Sequence, residues 1–210
     1  TLGTGAVIYG GKVSGDDFAA SYSGVFADAN AGTGKTVTIT SSYAGADVSN
    51  YNITDQTSTT ANISAKALTA TASASNKVYD GSSAATSTLT LSGFVGSETV
   101  TSTNLSTFNN KNTGTGKTVT VNSITLADGT NGGLAANYSI STGQTTTANV
   151  TAKALTVSGI TASNKVYDST TNATTVLSFS GLIGSETINN TNSSTFDNKN
   201  IGTGKTVTVN

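Results

Sequence analysis

Cysteine, methionine, tryptophan, histidine and proline do not occur among the 210 residues of the sequence. Without cysteine there is neither a disulfide framework nor a thiol nucleophile, and without histidine the ordinary catalytic triad is excluded. General acid–base chemistry would fall to sparse carboxylates. We therefore predict that the chain is not an enzyme and has no catalytic, cofactor-binding or metal site.

Charge is also scarce. Ten basic residues stand against eleven acidic ones, and charged residues make up 10% of the chain, well below the roughly 25% of ordinary globular domains. Such a chain has no positive field that would attract nucleic acid or an anionic membrane surface. It also lacks an apolar run of about 18 residues, so we predict no membrane insertion.

Internal repetition is the strongest signal in the sequence. Residues 76–80, Asn-Lys-Val-Tyr-Asp, recur as residues 164–168, and residues 96–99 recur as residues 184–187, both with a shift of 88. The hexapeptide Gly-Thr-Gly-Lys-Thr-Val begins three times, at Gly32, Gly114 and Gly202. A period of this length predicts a repeated domain, because the coils of a β-solenoid repeat after roughly 20–30 residues.

Alignment of Phe26, Phe108 and Phe196 predicts three consecutive copies. Residues 1–66 form a first repeat that lacks its first strand, residues 67–153 a complete middle repeat, and residues 154–210 a third repeat that lacks its last strands. The middle copy carries extra loop residues around Asp128 and Gly133. Both cuts fall inside a repeat, so we expect the sequence to be a window onto a longer repetitive chain.

Apolar residues alternate with polar ones throughout the copies, which predicts half-buried β-strands. Short strands separated by glycine-rich turns favour an all-β fold of tandem immunoglobulin-like antiparallel β-sandwich repeats of about 88 residues, arranged end to end. The predicted core of the middle repeat consists of Leu89, Leu91, Phe108, Val119, Val121, Tyr138, Ile140 and Val150.

Three motifs carry a family resemblance. Asn-Lys-Val-Tyr-Asp-Gly (76–81), Phe-x-x-Lys-Asn-x-Gly-Thr-Gly-Lys-Thr-Val (108–119) and Asn-Tyr-Ser-Ile (137–140) together resemble the bacterial YDG-domain repeat. The resemblance implies an immunoglobulin-like sandwich, found in tandem within large filamentous-haemagglutinin-like exoproteins and surface adhesins. Ser169 replaces Gly81 in the third copy, which predicts that this turn does not need a positive φ. Ala29 stands in the first copy where Lys111 and Lys199 stand in the others.

Gly34-Lys35-Thr36 resembles the end of a phosphate-binding loop. That loop requires a further glycine five residues before its second glycine and a helix after the threonine. Ala29 occupies the glycine position, and the residues that follow alternate like a strand. We therefore interpret the motif as a glycine-rich turn that opens a strand.

Other polar residues admit functional interpretations. Asp80 and Asp168 follow the repeat junctions closely enough to make calcium binding there conceivable, although no acidic cluster supports it. Lys77 or Lys117 could form an isopeptide crosslink to an asparagine, with Glu98 as the proton shuttle. Glu98 recurs as Glu186 and as Asp16, which favours turn or strand-end positions over catalysis.

The repeat preserves turn glycines, aromatic residues and strand alternation but no convergent polar cluster. This pattern predicts a structural segment of a secreted bacterial fibre or adhesin stalk, a stiff spacer or polymer unit in adhesion or biofilm matrix. Its partners would be neighbouring repeats and other copies of the chain.

The junction around residues 147–157 contains no glycine or proline and continues the alternation from Val150 to Val157, which predicts stiffness. The alternative is a receptor- or glycan-binding adhesin module, for which Tyr22 and Tyr43 are the leads; Tyr51 matches Tyr138 and is assigned to the core.

Overall fold

The computed structural model describes residues 10–210. Over these residues the chain is all-β, with several antiparallel sheets, two short 3-10 turns and no α-helix. The all-β prediction is thus confirmed. The first nine residues of the predicted first repeat, 1–66, lie outside the described residues.

The first repeat contributes one antiparallel sheet. Its strands follow chain order, and Phe26 lies opposite Val37. A 3-10 turn, Val48–Asn50, separates the second strand from the third. The strands are β1 (Ala19–Phe26), β2 (Gly32–Ala44) and β3 (Ser58–Ile63).

The middle repeat contains nine strands and a 3-10 turn, Ala135–Asn137. Its largest sheet has five strands in the order β6-β12-β10-β9-β7, while β5 pairs with β8 and β4 pairs in parallel with β11. The strands are β4 (Lys66–Ala67), β5 (Thr69–Ala74), β6 (Lys77–Val78), β7 (Ala84–Ala85), β8 (Ser87–Ser92), β9 (Val100–Phe108), β10 (Gly114–Asp128), β11 (Tyr138–Ser139) and β12 (Thr145–Thr151).

The third repeat reproduces part of this pairing. The order β14-β16-β17 matches β7-β9-β10, and the pair β13-β15 matches β5-β8. Equivalent sequence positions therefore form equivalent strands. The strands are β13 (Thr156–Ala162), β14 (Asn172–Ala173), β15 (Thr175–Ser180), β16 (Ser194–Phe196) and β17 (Val207–Val209).

Two apolar clusters form the interior of the middle repeat. The first joins Phe108, Val119, Ala148 and Val150, with Tyr79 packed against it. The second joins Leu68, Val100 and Tyr138, with further half-buried residues including Leu91, Leu126 and Ile140 around it. The predicted core is therefore largely confirmed: five of the eight residues are buried, and three, Leu89, Leu91 and Ile140, are half-buried.

Compact packing divides the chain into two units that do not coincide with the predicted repeats. One comprises the described residues up to Thr71 together with Leu89–Asn104 and Ser123–Gln144. The other comprises Ala72–Thr88, Leu105–Asn122 and Thr145–Asn210. The second apolar cluster lies wholly within the first of these units and the first cluster within the other.

The predicted continuation of the alternating strand pattern from Val150 to Val157 is wrong. β12 ends at Thr151 and β13 begins at Thr156, so four residues between them are not extended strand. The physical reason is that the inward-facing positions change from even to odd residue numbers. Val150 is buried, Leu155 is the next apolar residue that is half-buried, and Val157 is exposed. A strand with a side-chain period of two cannot direct both Val150 and Leu155 to one face.

Candidate functional site at the repeat boundaries

Lys77 closes the turn that follows β6. Its Nζ donates to Asp80 Oδ1 at 2.7 Å and to the carbonyl oxygens of Ser82 and Ala84 at 2.7 and 3.0 Å. The same ammonium lies 5.7 Å from the centre of the Phe108 ring, within reach of a cation–π interaction. The hydrogen bond from Lys77 and that from the Ser82 N–H lower the pKa of Asp80. Lys77 is thus tied to its own turn.

The third repeat preserves this arrangement. Lys165 Nζ donates to Asp168 at 2.8 Å and lies 5.8 Å from the Phe196 ring centre. That hydrogen bond and two from Thr170 lower the pKa of Asp168 to about 2. Ser169 has φ 62°, beside 77° for Gly81, so the prediction that the turn does not need a positive φ is wrong. The Ser169 hydroxyl donates to the Asp168 carbonyl at 2.7 Å, a local bond that short polar side chains can make in this conformation.

In the first two copies the Gly-Thr-Gly-Lys motif forms the first four residues of a strand and has a positive φ at its second glycine, so the predicted turn ahead of the strand is wrong there; the copy that begins at Gly202 precedes β17. In β2 the pairing register shifts between Gly32 and Lys35, and β10 shows the same irregularity between Gly114 and Lys117. Lys35 pairs with Asp28, while Lys117 donates to Asn110 at 2.6 Å. The residues after the motif continue as strand, as predicted, and the lysines bind within their own hairpins.

Tyrosine and carboxylate form a recurring pair. Tyr138 donates its hydroxyl hydrogen to Glu98 Oε2 at 2.5 Å and accepts the Val95 N–H at 3.1 Å. In the first repeat Tyr51 donates to Asp16 at 2.6 Å and accepts the Val13 N–H at 2.9 Å. These hydrogen bonds to carboxylates raise the pKa of both tyrosines. In both copies the recurring acid thus binds a tyrosine.

Glu186, the third copy of this acid, contacts residues of the preceding repeat. Glu186 accepts a hydrogen bond from Tyr79, which belongs to the middle repeat, and pairs with Lys111 Nζ at 3.6 Å. The hydrogen bond to Glu186 raises the pKa of Tyr79. The pKa of Lys111 is also raised, mainly by its contact with the Tyr79 oxygen and further by the negative charge of Glu186. We call Tyr79, Lys111 and Glu186 the junction cluster. It connects the middle and third repeats.

An apolar cleft of about 350 Å³ adjoins the junction cluster. Its walls include Leu155, Leu182, Ile183 and Ile188, and Tyr79 and Glu186 line it as well. Ile183 also lies close to Gly81, because a Cβ built on that glycine would be 2.8 Å from Ile183 Cγ2. Apolar contact therefore accompanies the polar bridge at this boundary.

The boundary between the first and middle repeats is bridged as well. Asn137 Oδ1 accepts the backbone N–H of Ala31 at 2.8 Å, and Asn137 Nδ2 donates to Asn30 at 3.0 Å. Asn30 and Ala31 lie in the loop between β1 and β2. Lys111 lies in the equivalent loop between β9 and β10, so the same loop of two successive copies contacts the following copy.

Tyr22 and Tyr43 lie on the face of the first sheet that also carries the buried Val37. Their rings are 6.5 Å apart, and Tyr43 also contacts Phe18 at 5.7 Å. Tyr22 occupies the position of Asn104 and Asn192 in the other copies. These contacts place both tyrosines within an aromatic cluster of the sheet.

The remaining predicted site residues have separate partners. Among the described residues, Glu98 is bound by Tyr138, Lys77 by Asp80 and Lys117 by Asn110, so the lysines and the proposed proton shuttle are not brought together. Over residues 10–210, no three acidic side chains lie close enough to share a metal ion. The junction contacts of Tyr79 and Asn137 were not predicted; the recurrence of Glu98 as Glu186 singled out Glu186, and no sequence signal pointed to Asn137.

These features define an all-β protein with repeated sequence whose copies share strand pairing and are bridged by polar side chains. No helix of the described part is both long and apolar enough to span a bilayer. The chain belongs to the YDG domain family, whose model matches residues 1–60, 64–148 and 151–210. Neither the curated proteins nor the solved structures contain a match to this chain.

Proposed function

We propose that the chain is a structural repeat segment of a secreted bacterial fibre or adhesin stalk, a stiff spacer or polymer unit in adhesion or biofilm matrix. In this proposal residues 1–66, 67–153 and 154–210 belong to immunoglobulin-like sandwich repeats arranged end to end. The membership of the YDG domain family supports it, as does strand pairing that recurs between copies. The proposed location is extracellular, and the partners are neighbouring repeats and other copies of the chain.

One observation carries the proposal: polar side chains bridge both boundaries between copies. Asn137 binds the loop of Asn30 and Ala31, and Glu186 binds Tyr79 and Lys111. A linker that only tethers domains needs no such contacts, because flexible chain suffices. In this proposal the contacts at each boundary restrict the angle between copies, as a spacer requires.

Several charged side chains that recur between copies make local contacts. Lys77 and Lys165 pair with Asp80 and Asp168 within their turns, and Asp16 and Glu98 accept hydrogen bonds from tyrosines. Surface ion pairs of this kind contribute little stability, about 0–1 kcal/mol each, so their value lies in fixing turn geometry. Of the two leads for the ligand-binding alternative, Tyr43 packs against Phe18 and Tyr22, whereas Tyr22 is 37% exposed.

Location is tested on the cells that produce the protein. Antibodies raised against the 210-residue chain should label extracellular filaments by immunogold electron microscopy, with gold distributed along their length. Labelling confined to the cell interior would contradict the proposal. Labelling only at filament tips would instead favour the ligand-binding alternative.

Stiffness is tested by small-angle X-ray scattering of the chain. We expect one extended particle shape to fit the data, with Glu186→Gln and Lys111→Ala broadening the range of shapes. The matched control is Lys199→Ala, which alters the equivalent loop position of the third copy, where the described residues show no ion pair. Scattering that requires widely varied angles in the unaltered chain would exclude a stiff spacer.

A further inference from the structure

A polar stretch interrupts the interior of the middle repeat. Along one face of β9 the inward residues are Val100, Ser102, Asn104, Ser106 and Phe108, so that apolar ends enclose a polar centre. Val100 belongs to the second apolar cluster and Phe108 to the first. The two clusters are therefore not continuous along this strand.

The polar side chains at the centre are hydrogen-bonded. Ser106 is 6% exposed, and its hydroxyl lies 2.7 Å from that of Ser87 on β8, a strand of a different sheet. The third repeat has the same arrangement, with Thr175 2.6 Å from Ser194 and 2.8 Å from Asn192. We call Ser87, Asn104 and Ser106, with their copies Thr175, Asn192 and Ser194, the polar belt.

Strand pairing also changes near the belt. β10 pairs with β12 only as far as Thr120, opposite Thr145. Inward positions on β10 are odd-numbered at Val119 and Val121 but even-numbered at Ile124 and Leu126, with two exposed residues, 122 and 123, between them. A change from odd-numbered to even-numbered inward residues within one strand marks a local break in the regular pleat.

The residue limits of the two compact units fall within β9 and β10. Their limits fall between Asn104 and Leu105 on β9 and between Asn122 and Ser123 on β10. One unit contains the second apolar cluster and the Asn137 contacts to the first repeat. The other contains the first apolar cluster and the junction cluster with Glu186.

We propose that the cooperative folding unit of this protein is centred on a repeat boundary and not on the sequence repeat. Each unit joins half of the middle repeat to the adjoining copy. Apolar burial is the main source of cooperativity in a folded domain. The middle repeat has two separate apolar clusters, and each belongs to a unit that contacts a different adjoining copy. The two clusters therefore unfold as separate units. The inference does not depend on the chain being a stalk.

Native-state hydrogen exchange of the unaltered 210-residue chain, followed at increasing denaturant concentration, tests the proposal. Amides of residues 72–88, 105–122 and 145–180 should converge on one opening free energy. Those of residues 32–63, 89–104 and 123–144 should converge on another. A single value shared by residues 67–153 and absent from residues 154–180 would overturn the proposal, because the repeat would then be the folding unit.

A matched pair of core substitutions sharpens the test. Val119→Ala and Val100→Ala remove the same atoms from two buried sites of the middle repeat, 0% and 7% exposed. We expect Val119→Ala to speed exchange about tenfold in residues 105–122 and 156–180 while leaving residues 89–104 unchanged. Val100→Ala should do the reverse. If both variants speed exchange equally over residues 67–153, the units are not separate. Leu105→Ala serves as the control, because Leu105 is exposed on the same strand, β9, as Val100.

Discussion

Phe108 links several features of the middle repeat. It is 3% exposed, lies in an apolar cluster with Val119 and Val150, and carries the Lys77 ammonium over its ring. Phe108→Ala should lower the free energy of unfolding by about 3–5 kcal/mol, because a large cavity would remain. Leu105→Ala, on the same strand but 72% exposed, should change it by less than about 0.5 kcal/mol. Denaturant titration measures both, and equal effects would show that Phe108 is not a core residue.

Four tyrosines whose hydroxyl groups donate to carboxylates have raised pKa values: Tyr43, Tyr51, Tyr79 and Tyr138. A raised pKa in the folded state means that folding favours the protonated form. The associated stability is present below the ordinary value of 10.0 and is lost as pH rises through the folded-state values. Ultraviolet titration should show these tyrosines ionising later than free tyrosine, together with a falling melting temperature. Ionisation of all seven tyrosines at the ordinary pH would contradict the hydrogen bonds.

Asp168 provides the corresponding test at acid pH. Its pKa is lowered to about 2, first by Lys165 and then by Thr170. A lowered pKa stabilises the fold above the unfolded value of 3.8, and this contribution is lost as pH falls toward 2. A carboxyl-carbon NMR titration should give a midpoint near 2, and Lys165→Ala should move it back toward the ordinary value. An unchanged midpoint in that variant would remove Lys165 as the main cause.

Turns are the elements in which the sequence was least informative. The exchange of Gly81 for Ser169 gave no sign that both residues have positive φ, because the compensating hydroxyl contact depends on the folded turn. Strands were easier to predict. Alternation alone identified Phe108, Val119, Val121, Tyr138 and Val150 as buried, since a strand presents every second residue to the core. The break between Thr151 and Thr156 was missed because small and apolar residues continue across it, at Ala152, Ala154 and Leu155.

The two copies of this turn make a reciprocal test. Gly81→Ser should destabilise the protein by about 1–2 kcal/mol, because a non-glycine residue would have to adopt a positive φ. A steric cost adds to this, because a Cβ at residue 81 would be 2.8 Å from Ile183 Cγ2. Ser169→Gly should be neutral or stabilising within about 1 kcal/mol. Thermal unfolding monitored by circular dichroism compares them. Equal destabilisation by both changes would contradict a positive φ at Ser169.

At the scale of the whole molecule, the period of 88 residues predicted copies but not their contacts. Asn30 and Asn137 are 107 positions apart, as are Tyr79 and Glu186, and a pattern within one copy does not reveal which side chains meet across a boundary. The polar belt was missed for a similar reason. Serine and threonine are so frequent that inward-facing hydroxyls could not be distinguished from those on the surface until the strands were paired.

Stiffness at the boundary between the middle and third repeats is the central claim, and the absence of cysteine makes it directly measurable. Thr118→Cys and Thr161→Cys place two unique spin labels at exposed strand positions of the middle and third repeats. Double electron–electron resonance should give one narrow distance distribution, which Glu186→Gln broadens and Lys199→Ala leaves unchanged. A broad distribution in the chain with Glu186 intact would show that the junction cluster does not fix the boundary and would contradict the proposed spacer.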